Sequence, residues 1–462
     1  MTPLLNHQAS FEAYMLSHIQ HRHPHALDAT EIIHLKTCWN GTLPIARLPP
    51  ELLSTIFVAY ATSIREDYTL SWRDVQPYLW VQVTHVCRYW RDVAIDCAVL
   101  WNWVVPASVA CTQTILSRSR SAPLIINLNT QLLGRTRVLS DPKAVNIVYK
   151  QWAHIAEARI DVPHPALRNI SAPILRSLDV RSWCSDENAL DAEPLFHSSC
   201  APPLRYIRWS GGLQWHSLAP LLGPKVEELR VTPTFSSITV ETWCSVLQNM
   251  PQLRVLSLDG AVYCDPLRGL SVDSSTVKQR VALPCLQKLL LSANTSILGE
   301  ACLLTRLSIP PDTDVNLSTY FVPSVTGDEA RILAHSVVAA TSNRHIDELT
   351  LWRQDHTFFR PRTTLRWVLS SLSTPADVVI EVRVDYTEVD RTTIDISSGL
   401  PLSEVTSISL ALGDLDTEAF GVKALSAAFG KMTKLQKVVG KGYSGLVLPE
   451  AFPSAKPLRA SG

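Results

Sequence analysis

The chain has 462 residues, of which 46% are hydrophobic and 18% are charged, and 42 basic side chains balance 42 acidic ones. This composition is typical of a folded protein that is long enough for several domains or one extended solenoid. The charge balance excludes a surface of one sign that would hold nucleic acid or an anionic membrane non-specifically, so neither is an expected partner.

The compartment follows from features that the sequence lacks. The N-terminal segment has neither the basic nor the apolar stretch of a secretory signal, and no apolar run is long enough to cross a bilayer. The ten cysteines contain no CxxC pair, which favours reduced, mostly buried thiols over a disulfide framework or a zinc site. We therefore expect a protein of the cytoplasm or nucleus that holds no metal and no other cofactor.

Residues 1–43 are predicted to be a helical or flexible lead-in with a histidine-rich patch. Helical spacing would bring His18, His21 and His25 together as metal ligands, but Pro24 interrupts that helix. A solvated segment is therefore the favoured interpretation of the patch.

Residues 44–104 are predicted to form a small domain of three helices. In the first part, two prolines suit a first helical turn, and apolar residues recur at three- and four-residue intervals. These apolar residues are Leu48, Leu52, Leu53, Ile56, Phe57 and Tyr60. The second part repeats this spacing at Val83, Val86, Cys87, Trp90, Val93 and Ala94. Helical units of this size bury little surface and are often stabilised by packing on a neighbour or a partner.

From about residue 110 onward, short phrases of the form apolar-x-x-apolar-x-apolar recur. Each phrase ends in the alternation of a half-buried strand. Their central apolar residues are Leu178, Ile207, Leu229, Leu256, Leu289, Leu307, Leu349, Val382, Ile408 and Val438. The mean spacing of about 29 residues is at the long end of leucine-rich repeats, and a stack of such units shares one core and a parallel sheet.

The repeats are expected to be irregular, because the asparagine that usually follows the strand of a leucine-rich repeat is present only at Asn294. Helix-like stretches at 239–250 and 328–342 lie between the strands. The predicted fold class is α/β (α+β), with an N-terminal three-helix domain followed by an irregular leucine-rich-repeat-like solenoid that contains a parallel strand stack. Its predicted parts are 1–43, the helical domain 44–104, the repeat domain 110–448 and a flexible C-terminal tail at 449–462.

The segment LPPELLSTIF, followed after an insertion by VTHVCRYWRDVAIDCAVLW, resembles an F-box. The matching residues are Leu48, Pro49, Glu51, Leu52, Leu53, Ile56 and Phe57, then Val83, Val86, Cys87, Arg88, Trp90, Arg91, Val93, Ala94, Leu100 and Trp101. The continuation SRSRSAPLIINLN is similar to the F-box proteins that abound in mushroom-forming fungi. One departure is the polar stretch from Ile64 to Val75, which lengthens the connection between the two halves.

The resemblance implies a substrate-recognition subunit of an SCF-type ubiquitin ligase, in which the F-box binds a Skp-type adaptor and, through it, a cullin. The repeat domain would hold a client protein, and catalysis would be by proximity without a chemical group from this chain, which is therefore not expected to be an enzyme itself. The residues expected to contact the adaptor are Leu48, Pro49, Leu52, Ile56, Val86 and Cys87. The residues expected in the F-box core are Leu53, Phe57, Trp90 and Trp101.

The client is expected to meet strand residues that alternate with the buried ones. Examples are Tyr206, Arg208, Arg230, Trp352 and Arg383. Arginines at such positions suit a phosphorylated degradation signal and a tryptophan suits an apolar side chain, whereas ordinary solvated positions are the simpler alternative. The alternative function is a non-catalytic repeat scaffold whose F-box does not support ubiquitination.

An enzyme is a third possibility, because GKGYSG at Gly440, Gly442 and Gly445 has the spacing of a dinucleotide-binding loop. Such a site needs a helix directly after the loop, and Pro449 and Pro453 exclude a sustained one. The segment is therefore interpreted as a C-terminal turn.

Overall fold

The computed structural model of the chain divides into two compact units, Met1–Ile155 and Ala156–Gly462. The residues that it describes are 30, 37, 40–41, 43–70, 76–128, 131–132, 135–136, 141–162, 171–182, 196, 202–211, 215–233, 238–264, 280–294, 296–319, 326–341, 345–356, 362–371, 376–385, 389–411, 422–441 and 456–457. The histidine-rich patch, Gly442 and Gly445 lie outside these residues, and the predicted domain limits stay predictions. Within this part of the chain, no helix combines the length and apolar character that a membrane span requires.

The first unit is mainly helical. Its α-helices are α1 (Pro50–Leu70), α2 (Arg88–Asp96), α3 (Val109–Ser119) and α4 (Pro142–Tyr149). Short 3-10 helices occupy Pro44–Arg47, Leu79–His85, Ala98–Trp101 and Trp152–His154. The strands are β1 (Trp103–Val104), β2 (Leu124–Asn127), β3 (Gln131–Leu132) and β4 (Arg135–Thr136). Strands β1 and β2 pair in parallel, and β3 and β4 pair antiparallel.

Helix α1 includes most of the polar stretch that lengthens the connection between the two F-box-like halves. Its buried residues recur at helical spacing at Leu53, Phe57, Ile64 and Tyr68. The ring of Tyr68 packs edge-on against Trp103, with 5.5 Å between the ring centroids, and Val105 belongs to the same apolar cluster. This cluster holds the C-terminal half of α1, so the stretch continues the first helix as far as Leu70.

The second unit contains a large, predominantly parallel sheet. The strands of this unit are β5 (Ile155–Val162), β6 (Ser177–Ser182), β7 (Tyr206–Gly211), β8 (Glu228–Pro233), β9 (Ile238–Thr239), β10 (Val255–Asp259), β11 (Val262–Tyr263), β12 (Val281–Ala282), β13 (Lys288–Ala293), β14 (Leu307–Ser308), β15 (Asp314–Thr319), β16 (Glu348–His356), β17 (Arg362–Ser370), β18 (Val378–Asp385), β19 (Ser407–Ala411), β20 (Lys437–Lys441) and β21 (Lys456–Pro457). The short strands β9, β11, β12 and β14 lie outside the large sheet. Their order in the sheet is β5-β6-β7-β8-β10-β13-β15-β18-β17-β16-β19-β20-β21, and β9 pairs with β11 and β12 with β14.

Helices follow several of these strands. They are α5 (Trp215–Leu218), α6 (Val240–Leu247), α7 (Leu298–Arg306), α8 (Gly327–Thr341), α9 (Val389–Gly399) and α10 (Val422–Phe429), with 3-10 helices at Ala219–Leu221 and Leu402–Glu404. Helices α6 to α10 pack on one another in chain order. The helices predicted near 239–250 and 328–342 are thus present as α6 and α8. At the start of α8, Thr326 Oγ1 accepts from the Glu329 N–H while Glu329 Oε2 accepts from the Thr326 N–H, which is a capping box.

The register of the parallel strands aligns the central apolar residues of the predicted phrases. Such residues pair across neighbouring strands in two series. The first series is Leu178, Ile207, Leu229, Leu256 and Leu289, and the second is Leu349, Ile408 and Val438. All of them are buried. These strand positions are confirmed, whereas a repeat solenoid in the strict sense stays a prediction.

One predicted strand centre, Leu307, does lie in a strand, but its predicted place in the main stack is wrong. Leu307 lies in the short strand β14 and pairs with Val281, while Val315 pairs with Leu289 in the main sheet. The reason is that α7 extends to Arg306. Leu303 and Leu304 are therefore buried residues on the apolar side of a helix and do not belong to a strand.

The predicted parallel strand stack is also wrong in one place. Strand β17 pairs antiparallel with both β16 and β18, which places Val382 opposite Leu365 in an antiparallel pair. Strand β17 was absent from the predicted phrases, although Leu365, Trp367 and Leu369 alternate along it and are buried. Alternation has the same period in parallel and antiparallel strands, so it does not fix their direction.

Candidate protein-docking surface

Helix α1 carries an exposed apolar stripe. Leu52, Ile56 and Tyr60 are 53%, 50% and 37% exposed, and their four-residue spacing places them along one side of the helix. Ile45, in the 3-10 helix before α1, is 42% exposed. Six of the eight large apolar side chains that are exposed in the described part of the chain lie between Ile45 and Val99. The apolar surface is thus concentrated in this small helical region.

A different side of α1 forms the core of the region. Leu53 and Phe57 are buried, and the ring of Phe57 lies 5.1 Å from that of Trp90. Trp101 is also buried, whereas Trp90 is only half-buried. Within the described part of the chain, the interior therefore accounts for one apolar side of α1 and leaves the stripe without an internal partner.

Two hydrogen-bonded contacts fix the chain where α1 begins. Tyr89 Oη donates to the carbonyl of Leu48 at 2.7 Å, which ties this segment to α2. The carbonyl of Pro49 accepts from the N–H groups of Leu52 and Leu53 in the first turn of α1. Leu48 is half-buried and Pro49 is exposed, so Pro49 is the more accessible of these two predicted contact residues.

Val86 and Cys87, also predicted as contacts, lie at the start of α2. Val86 is 55% exposed and Cys87 is half-buried. Cys87 is the N-cap of α2, because its Sγ accepts from the Trp90 N–H at 3.5 Å. The thiol of Cys87 therefore has a structural role in addition to any contact with a partner.

Sequence reasoning left three exposed apolar residues of this region unassigned. They are Ile45, Tyr60 and Val99. For Tyr60 a signal was available, since it follows Ile56 by four residues on the same side of the helix. Ile45 and Val99 lie in 3-10 helices, where the helical spacing of α1 gives no information about exposure.

Three of the residues predicted to meet a client line one shallow depression of about 320 Å³ in the second unit. Its charged and aromatic lining residues are Arg159, Asp179, Tyr206, Arg208, Glu228 and Arg230, from strands β5 to β8. Trp352 and Arg383 belong to β16 and β18, but their side chains lie outside the described part of the chain. The sheet thus brings together Tyr206, Arg208 and Arg230.

The charges in this depression are unevenly paired. Arg230 forms an ion pair with Glu228, and Asp179 Oδ2 lies 3.9 Å from Arg159 and 3.6 Å from Arg181. Arg208 is exposed and has no ion pair or side-chain hydrogen bond among the described residues. The guanidinium of Arg208 is therefore the group in the depression that is available to an external anion.

Residues 45–106 match the model of the F-box-like family. The match contains the exposed stripe and the core beneath it, and it confirms the F-box-like domain that the sequence predicts. Such a domain indicates a role in protein–protein interaction. No protein with a curated function matches the chain.

Proposed function

We propose that this protein is the substrate-recognition subunit of an SCF-type ubiquitin ligase in the cytoplasm or nucleus. The F-box-like domain binds a Skp-type adaptor, the adaptor connects it to a cullin, and the second unit holds a client protein. The observation that supports this most is the exposed stripe of Leu52, Ile56 and Tyr60, which lies inside the segment that matches the F-box-like family. The chain acts by proximity and contributes no reacting group.

The stripe is suited to this task on energetic grounds. Full burial of a leucine or isoleucine contributes about 1.5–3 kcal/mol, and Leu52 and Ile56 are already about half-buried, so docking gains about 1 kcal/mol from each. A stable complex buries on the order of 1,600 Å² in total, and a few anchor residues supply most of its affinity. Pro49, Tyr60 and Val86 are the further anchors that we propose on this surface.

Co-purification tests the proposed function directly. The tagged full-length chain is expected to recover both the Skp-type adaptor and the cullin, and to support transfer of ubiquitin to proteins that it retains. Recovery of the adaptor without the cullin would instead identify a scaffold outside a ligase. Recovery of neither would contradict the proposal.

Arg208→Glu is expected to reduce recovery of the client about 10-fold without affecting recovery of the adaptor. The change reverses the charge that is available to an anionic group in the depression, and a charge-assisted hydrogen bond supports a loss of this size. Quantitative mass spectrometry of the co-purified proteins measures it. Arg254→Glu is the control, because Arg254 is exposed but does not line the depression. An equal loss in both variants would remove Arg208 from the client site.

A further inference from the structure

Four side-chain oxygens in the second unit are buried and have no hydrogen-bond partner among the described residues. They are Asp259 Oδ1, Ser292 Oγ, Asn294 Oδ1 and Glu300 Oε2. They occur at the ends of strands β10 and β13, directly after β13, and in the first turn of α7. Buried polar groups in folded proteins almost always have a partner, so four unpaired oxygens need an explanation.

The strand register and the following turn bring these residues together. Asp259 and Ser292 are paired residues of neighbouring parallel strands, so their side chains project side by side from one face. Gly260 follows with a φ of +66°, and its N–H donates to the Ser292 carbonyl at 2.6 Å. A Cβ at Gly260 would overlap the side-chain amide of Asn294, so that amide lies directly against the turn.

Glu300 lies close enough to Asp259 for the two carboxyl groups to interact electrostatically. It is 2% exposed. The pKa of its carboxyl is raised to about 8, mainly by burial; a hydrogen bond from its own backbone N–H lowers the pKa, and the nearby Asp259 carboxylate raises it. Two carboxyl groups that approach each other out of contact with water form an arrangement that a bound cation would stabilise.

We propose that Asp259, Ser292, Asn294 and Glu300 form a binding site for Ca²⁺. All four ligands are oxygens, and carboxylate and amide carbonyl oxygens are the protein ligands that Ca²⁺ prefers. Mg²⁺ fits less well, because it demands near-ideal octahedral geometry, whereas Ca²⁺ accepts irregular sets of oxygens in which a carboxylate binds through one or both of its oxygens. The described residues contain no group of three or more His, Cys, Asp or Glu that could hold a metal, and this set instead combines two carboxylates with an amide and a hydroxyl.

The full-length chain, dialysed against EGTA, tests the proposal by calorimetric titration with CaCl₂ and by thermal unfolding. We expect about one Ca²⁺ per chain and a rise in Tm of about 5 °C when Ca²⁺ exceeds its Kd about 100-fold. Asp259→Asn and Glu300→Gln are expected to abolish both effects. Asp328→Asn is the control, because the side chain of Asp328 is 84% exposed on α8. No Ca²⁺-dependent change in the wild-type chain, or a change that both variants retain, would overturn the proposal.

Discussion

The double variant Leu52→Asp, Ile56→Asp is expected to weaken binding to the Skp-type adaptor at least about 100-fold while the protein remains folded. Both side chains are about half-exposed on one side of α1. Docking would place two carboxylates in an apolar interface, and an unpaired charge there opposes binding by several kcal/mol, whereas a 100-fold loss needs only about 2.7 kcal/mol. Titration of the purified adaptor by interferometry measures the affinity.

Folding of this double variant is expected to be nearly unaffected. Leu53 and Phe57 remain as the core residues of α1. Two aspartates at i, i+4 repel each other by only about 0.2–0.5 kcal/mol, and the one at position 52, in the first turn, interacts favourably with the helix dipole. Tyr263→Asp is the control, since it places a carboxylate on a side chain that is 46% exposed in the second unit. Undiminished binding by the double variant, with an unchanged Tm, would remove the stripe from the adaptor interface.

The F-box-like region could be predicted from its sequence because helical spacing and the order of its aromatic residues are local signals. The same spacing does not show which apolar residues of the helix face the core and which remain exposed for a partner. Leu52 and Leu53, like Ile56 and Phe57, are adjacent pairs that together form an apolar arc wider than a small core needs. Trp90 has core spacing, yet it is half-buried.

In the second unit, alternation located the strands but left their direction open. A parallel connection needs a dozen or more residues, whereas only residues 357–361 separate β16 from β17. That short spacing was a signal for an antiparallel pair. No comparable signal marks the cluster of Asp259, Ser292, Asn294 and Glu300, because it is the sheet register that places Asp259 beside Ser292, a residue far from it in the chain.

The largest expected change in stability comes from Trp101→Ala, which should lower the free energy of unfolding of the first unit by about 3–5 kcal/mol. Trp101 is 2% exposed and packs edge-on against Trp80, with 4.8 Å between ring centroids. Its Nε1 donates to the Ala94 carbonyl at 2.7 Å, and the guanidinium of Arg118 lies 4.3 Å from its ring centroid. Urea unfolding, followed by circular dichroism and fitted with separate transitions for the two units, measures the loss.

Two further variants divide this loss between packing and hydrogen bonding. Trp101→Phe keeps much of the buried ring but removes the donor to Ala94, so we expect a loss of about 1–3 kcal/mol. Val99→Ala is the matched control, since Val99 is 52% exposed and its truncation should change stability by less than about 0.5 kcal/mol. Equal losses for Trp101→Phe and Trp101→Ala would mean that the hydrogen bond, not the buried ring, holds the end of α2 in place.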